Sequence, residues 1–452
     1  MIANTRNRDE CSARSAPLLA LCLAASLTAC GSLLDVDNPN NIKAEDIEKP
    51  VAATSLANGA LSAVARGISG ATLPYATASD ELDWSGSRDS WKELELGTVH
   101  NPFNEFTDGF FPNMGRGRWL ADEAVRVLEL HQANLVLADP IDLARAYLYA
   151  AVAYTAVADI FEDWALSNAD SAAAPYGRAN MHQFYDIAVG YIDKGLAIAS
   201  GEDDEVTLRL RAMRARANFA KAIWQQLHAS PAQFGAIQSA TAAADANAAI
   251  ALLSDPDWRW DFTYSPTTIS SDWGSWIASR QEMRVGAAYA APDPSGKPTW
   301  TTTTLMDPVD NVPDPNVDRV QKALLGDLYP DFTVVSAREL HVILAEDEYA
   351  RNGATATFQA HVNAIRDLNG LTDWTPASTV SALNILKHER RSTIFLQGKR
   401  LADMYRFQEV DPLWLSGSEA QKAATTGPAV FFPITIIECL ANPNIGSENC
   451  GK

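Results

Sequence analysis

Residues 117–138, GRWLADEAVRVLELHQANLVLA, place Leu120, Ala124, Val127, Leu128 and His131 on one stripe of a 3.6-residue period, and Asp139-Pro140 then stops the pattern. A single apolar stripe with charged positions opposite is an amphipathic helix, which needs partners to cover it. Those partners follow in the chain. Residues 141–164 are rich in Ala around Leu148, Val152, Tyr154, Thr155 and Ala158. Residues 181–199, 206–228 and 233–253 give three more helices, joined by short polar turns such as SGEDDE. Helical patterning resumes at 336–352, 358–368 and 380–407.

Helix starts near 117 and 142 recur near 181 and 206, an offset of about 64 residues each time. Small residues among larger apolar ones let such helices approach closely and stack as antiparallel pairs, each burying its face on the next. The expected fold is all-α, with tetratricopeptide-like helical repeats over about 117–253 and 336–407. Two stretches break the pattern, 71–116 and 254–335, both rich in Pro, Gly, Ser, Thr and Asp and both carrying many aromatics. Long irregular insertions in a helical body are more often functional surface than filler. Trp84, Trp91, Trp258, Trp260, Trp273, Trp276, Tyr289 and Trp300 are therefore the candidates for ligand contact there, since an aromatic ring is a large flat apolar face. Trp119, Trp164 and Trp224 lie inside helical patterns and are expected in the core.

The balance of 36 Lys+Arg against 56 Asp+Glu, net charge −20, argues against nucleic acid as a partner. Composition at 47% hydrophobic is enough for a large core. No metalloprotease, phosphate-loop, nucleophile-elbow or dinucleotide pattern occurs, the seven histidines are scattered singly, and no cofactor is implied. Residues 307–319, DPVDNVPDPNVDR, space Asp314, Asn316 and Asp318 as a calcium loop would, but Leu325 falls where such a loop needs an acid; a solvated loop is the better reading and no metal is expected. Asp80 and Glu81 could serve a glycoside hydrolase only if two carboxyls faced each other across a sugar, which adjacency in sequence does not supply.

At the N-terminus an apolar run over 16–27 follows Arg6, Arg8 and Arg14, too short for a permanent span, and reads as a secretory signal. Leu27, Thr28 and Ala29 before Cys30 resemble a bacterial lipobox, which implies a signal peptide over 1–29, a lipid on Cys30 and, with Gly31 next, an outer-membrane address. Cys11 and Cys22 leave with the signal, so Cys439 and Cys450 remain as a pair for a disulfide in an oxidising compartment.

HERRSTIFLQGKRLADMYRF, residues 388–407, followed by FFPITIIECLANPNI, residues 431–445, resembles the C-terminal signature of the SusD/RagB family of outer-membrane nutrient-binding lipoproteins. Glu389, Arg390, Arg391, Gly398, Arg400 and Asp403 match, as do Phe432-Pro433-Ile434 and Asn442-Pro443, while Gln397, Tyr405 and Thr435 depart from it. ASDEL near residue 80 and ARELHVILAEDEYARNG before HVNAIRDLNG fall in the family's order. The resemblance implies one SusD-like domain over 30–452 that binds a glycan or other oligomeric nutrient without turnover and delivers it to a SusC-like TonB-dependent transporter. Peptide binding on the same scaffold, or a scaffold without a small ligand, is the alternative. The charged helix itself reads as packing and ion pairing rather than catalysis, with Glu389, Arg390, Arg400, Asp403 and Arg406 spaced for ion pairs on one face.

Overall fold

The computed structural model describes residues 47–426, 431–446 and 450. The chain divides into a unit ending at Ala52, whose described part is a short turn with a 3-10 segment at Pro50–Ala52, and a unit that takes in Ala53–Lys452. The signal segment and Cys30 lie outside the described residues.

Helices dominate the second unit: α1 (Ala53–Thr77), α2 (Asp89–Glu95), α3 (Glu105–Ala133), α4 (Pro140–Ile160), α5 (Gln183–Ala199), α6 (Asp204–Leu227) and α7 (Ala240–Ile250). After an interval of short strands come α8 (Pro315–Leu324), α9 (Ala337–Asn352), α10 (Ala356–Leu368), α11 (Ala382–Thr393), α12 (Arg400–Arg406), α13 (Glu419–Thr426) and α14 (Ile436–Ala441). Local chemistry sets many of the starts. Asn104, Asp139, Asp203, Ser336, Thr355 and Ser381 each accept a backbone N–H of the first turn, and Pro140 sits where its missing donor costs nothing. Helices from α3 to α7 pack each on the next, α1 covers α3 and α4, and α9 links α7 to α10 and α11. The α1–α3 contact is close. A Cβ on Gly67 would lie 2.9 Å from the Asn113 oxygen and one on Gly117 2.8 Å from the Ala63 oxygen, so two glycines let the backbones touch.

The all-α repeat architecture is as expected, but several boundaries differ, and the helix expected over 233–253 is α7, which starts only at Ala240. Residues 71–116 are mostly helix: α1 runs through Pro74, α2 occupies 89–95, and α3 starts at Glu105 rather than near 117. Phe106, Phe110 and Phe111 are buried on α3, so this aromatic cluster is core rather than insertion. The single helix expected over 380–407 is broken into α11 and α12 at Leu396 (φ +60) and Gly398 (φ +66). Here a side chain on Gly398 would lie 2.6 Å from Thr72 Cγ2, so the turn is packed against α1.

Residues 254–335 hold the strands β2 (Arg259–Phe262), β3 (Met283–Val285), β4 (Ala290–Pro292), β5 (Trp300–Thr303) and the start of β6 (Phe332–Ser336), while β1 (Leu82–Trp84) precedes α2. They form three antiparallel ribbons, β1 with β3, β2 with β6 and β4 with β5. Near the C-terminus Cys439 and Cys450 are bonded, with Cα atoms 5.9 Å apart.

Candidate functional site

Asp83 and Arg284 are register partners across β1 and β3, so both side chains leave the ribbon on one face, where they lie 3.8 Å apart. Asp83 also accepts the Ala287 N–H at 3.0 Å. Just before β1, Asp80 accepts two bonds of 2.8 Å from Arg400, one of 3.0 Å from Arg391 and one of 3.2 Å from the Tyr289 hydroxyl. Arg400 reaches on to Glu409 at 2.8 Å. Apart from Tyr289, which lies beneath, these residues wall a cleft of about 680 Å³ together with Glu95, Asp411, Met404 and Leu413. The site is therefore assembled by the β1–β3 ribbon, the α11–α12 corner and the 409–413 loop.

Its charges are unequal in strength. Burial pushes Asp80 up, but the Arg400 and Arg391 guanidiniums outweigh it and hold the carboxyl at about 2. Asp411 has no such arginine pair; burial, against one N–H bond from Leu413 and reinforced by the Asp80 and Asp83 charges, raises it to about 6. Burial likewise raises Asp83 and Glu95. Behind the wall, burial pushes Glu81 up to about 8, and its one bond is the Leu396 N–H at 2.7 Å. The Nε atoms of Arg284 and Arg391 have no protein acceptor. Five carboxyls and three guanidiniums thus line one surface. Donors and acceptors side by side suit hydroxyl groups, which need both, and the excess of acids disfavours a polyanion.

Of the aromatic platforms expected from sequence, Trp91 and Trp276 are brought together edge to face, with ring centroids 5.4 Å apart. Trp91, Trp260, Trp273, Tyr289 and Trp300 are buried, and none of the eight candidates lines this cleft. Trp91 stacks on Phe106 at 3.7 Å, Trp260 lies under the Arg209 guanidinium at 5.5 Å, and the Trp273 Nε1 donates to Thr72 at 3.2 Å. Trp300 packs at the β4–β5 ribbon. The reason is mechanical: ribbons of three to five residues have little apolar area, so their large aromatics pin the insertion to the helices. Trp84, Trp258 and Trp276 are half-buried; Lys92 lies 5.1 Å from the Trp84 ring, Arg280 4.3 Å from that of Trp276, and Trp258 Nε1 points to Glu205 at 3.4 Å. Tyr289 supports the cleft from beneath, through its bond to Asp80 and the Arg391 guanidinium 4.4 Å from its ring. Trp164 and Trp224 are core as expected, whereas Trp119 is half-buried.

The charged C-terminal motif lies inside the protein rather than on one helix face. Arg406 is fully buried between Asp403 at 2.8 Å and Glu346, Arg390 joins Asp403 at 2.7 Å, and Arg366 bridges Asp307 and Glu389 at 2.7 and 2.8 Å. Residues 307–319 are a solvated loop only in part: Pro308, Asn311, Val312 and Pro313 are exposed. Asp307 is buried on Arg366, and Asp314 caps α8 while accepting Ser392 Oγ at 2.7 Å. Among the described residues no group of three or more His, Cys, Asp and Glu is arranged for a metal ion, and no helix is long and apolar enough to cross a membrane.

No family model and no curated protein matches the chain. Solved structures do. A SusD superfamily protein from Bacteroides vulgatus aligns with TM-score 0.58 at 13% identity, over 88% of this chain and 99% of its own. One from Parabacteroides distasonis gives 0.58 at 14%, over 90% and 99%. A laminarin-binding SusD-like protein gives 0.55 at 16%, over 87% and 99%. With helix order and overall path shared across nearly the whole length of these proteins, the chain has the SusD-like fold.

Proposed function

We propose that this protein captures a neutral oligosaccharide in the cleft walled by Asp83, Arg284, Arg400 and Asp411, without cleaving it. The observation that carries the reading is the cleft's mixed surface of buried and half-buried carboxyls and guanidiniums beside an apolar strip, the lining that orients hydroxyls and receives a ring face. The laminarin-binding neighbour with the same fold supports a glycan ligand. Capture without hydrolysis fits the two adjacent acids: Asp80 is held ionised by Arg400 and Arg391, and Glu81 is fully buried with its carboxyl on a backbone N–H. They do not face each other across a space for sugar, as hydrolysis requires. The signal segment and Cys30 support a lipid tether at the outer membrane, from which the ligand passes to a SusC-like TonB-dependent transporter. The test is affinity electrophoresis of the soluble form lacking Cys30 in gels containing laminarin, dextran, xylan or alginate. At least one neutral polymer should retard the protein without being shortened; retardation by alginate alone, or shortened chains, overturns the reading.

A further inference from the structure

The histidines are scattered in sequence, but folding pairs two of them. His341 on α9 and His361 on α10 place their Nδ1 atoms 3.1 Å apart, with ring centroids 5.4 Å apart and planes at 40°. We infer that His341 and His361 form a two-histidine site for a divalent transition-metal ion, with both Nδ1 atoms as ligands and water in the remaining positions. Metal–imidazole bonds of about 2.0–2.1 Å span a 3.1 Å nitrogen separation at an angle of about 100°, between the square-planar and tetrahedral values.

The pair is presented for ligation by a rigid frame. The two helices form a hairpin closed by the Gly353 N–H on the Tyr349 oxygen, and Tyr349 packs on Phe358 at 5.5 Å between ring centroids. Both rings are half-exposed, which leaves a path from solvent. Uncharged imidazole is the form that binds metal, and burial of both rings favours it. The nearby acid, Glu348, is occupied by Thr355 at 2.7 Å and Asn352 at 3.1 Å. In the unmetallated pair one Nδ1–H donates to the other Nδ1. On ligation that proton moves to Nε2 of its own ring, so both lone pairs face the ion and no proton is lost. Imidazole ligands select Zn²⁺, Cu²⁺ or Ni²⁺ over Ca²⁺ and Mg²⁺.

The experiment uses the soluble protein free of any histidine tag, titrated calorimetrically with ZnCl₂ and loaded with one equivalent of Cu²⁺ for electron paramagnetic resonance. One saturable ion per chain is expected, with two coordinated imidazole nitrogens in the Cu²⁺ spectrum of the wild type, and the unfolding temperature should rise with Zn²⁺. His341→Ala and His361→Ala should each weaken binding at least tenfold, while His182→Ala leaves it unchanged. No saturable binding, a spectrum without two such nitrogens, or equal binding in His361→Ala overturns the site. The wild-type spectrum decides the matter even where a variant folds poorly.

Discussion

Asp80 and Arg400 meet in a two-bond pair, Nε to Oδ1 and Nη2 to Oδ2 at 2.8 Å each, across 320 residues of sequence. The pair joins the end of α1 to the start of α12 and fixes one wall of the cleft. Removing one member of a buried pair strands the other, which costs about 3–5 kcal/mol. Glu409 also contacts Arg400, so Asp80→Ala should fall at the lower end, about 3 kcal/mol in denaturant unfolding. A loss below about 0.5 kcal/mol, the scale of an exposed pair, contradicts this role.

Glu81 gives a pH dependence of known sign. Its folded carboxyl is raised to about 8 from an ordinary 4.5, so between those values the folded state holds more proton than the unfolded chain and stability falls as pH rises. Glu81→Gln keeps an acceptor for the Leu396 N–H and removes the titration. The variant should therefore gain on the wild type between pH 5 and pH 8; a constant difference across unfolding curves at these two pH values refutes the assignment.

Trp273 and Trp276 should separate. Trp273 is 4% exposed and hydrogen-bonded to Thr72, whereas Trp276 is half-buried beneath Arg280. Trp273→Ala should cost about 3–5 kcal/mol of stability, and Trp276→Ala clearly less. Equal thermal shifts in the two variants contradict the burial order.

Much of the fold was legible because buried stripes repeat: Ala124, Val127, Leu128 and His131 are all buried on α3 as their spacing requires. The start of α3 was not, since Pro112 and the glycines around it mimic a loop while Phe106, Phe110 and Phe111 supply the burial that overrides them. Asp80 stood out in sequence as one of a pair of acids, but its arginine partners lie more than 300 residues away. Arg284 and Asp411 carried no signal at all, because a cleft made from a ribbon, a helix corner and a loop has no local pattern. Aromatic clustering was visible, yet whether an indole faces water or core depends on what covers it.

The central claim is that the cleft of Arg284 and Asp411 holds a neutral glycan, and the most direct measurement is affinity electrophoresis of wild type beside Arg284→Ala/Asp411→Ala in whichever neutral polymer retards the wild type. Each lost hydrogen bond to a charged group is worth about 1.5–3 kcal/mol. The double variant should therefore migrate as it does in a polymer-free gel while still unfolding in one cooperative transition, at a lower temperature because Asp83 and the Leu413 N–H lose their partners. Retardation equal to the wild type would place the ligand elsewhere and contradict the account.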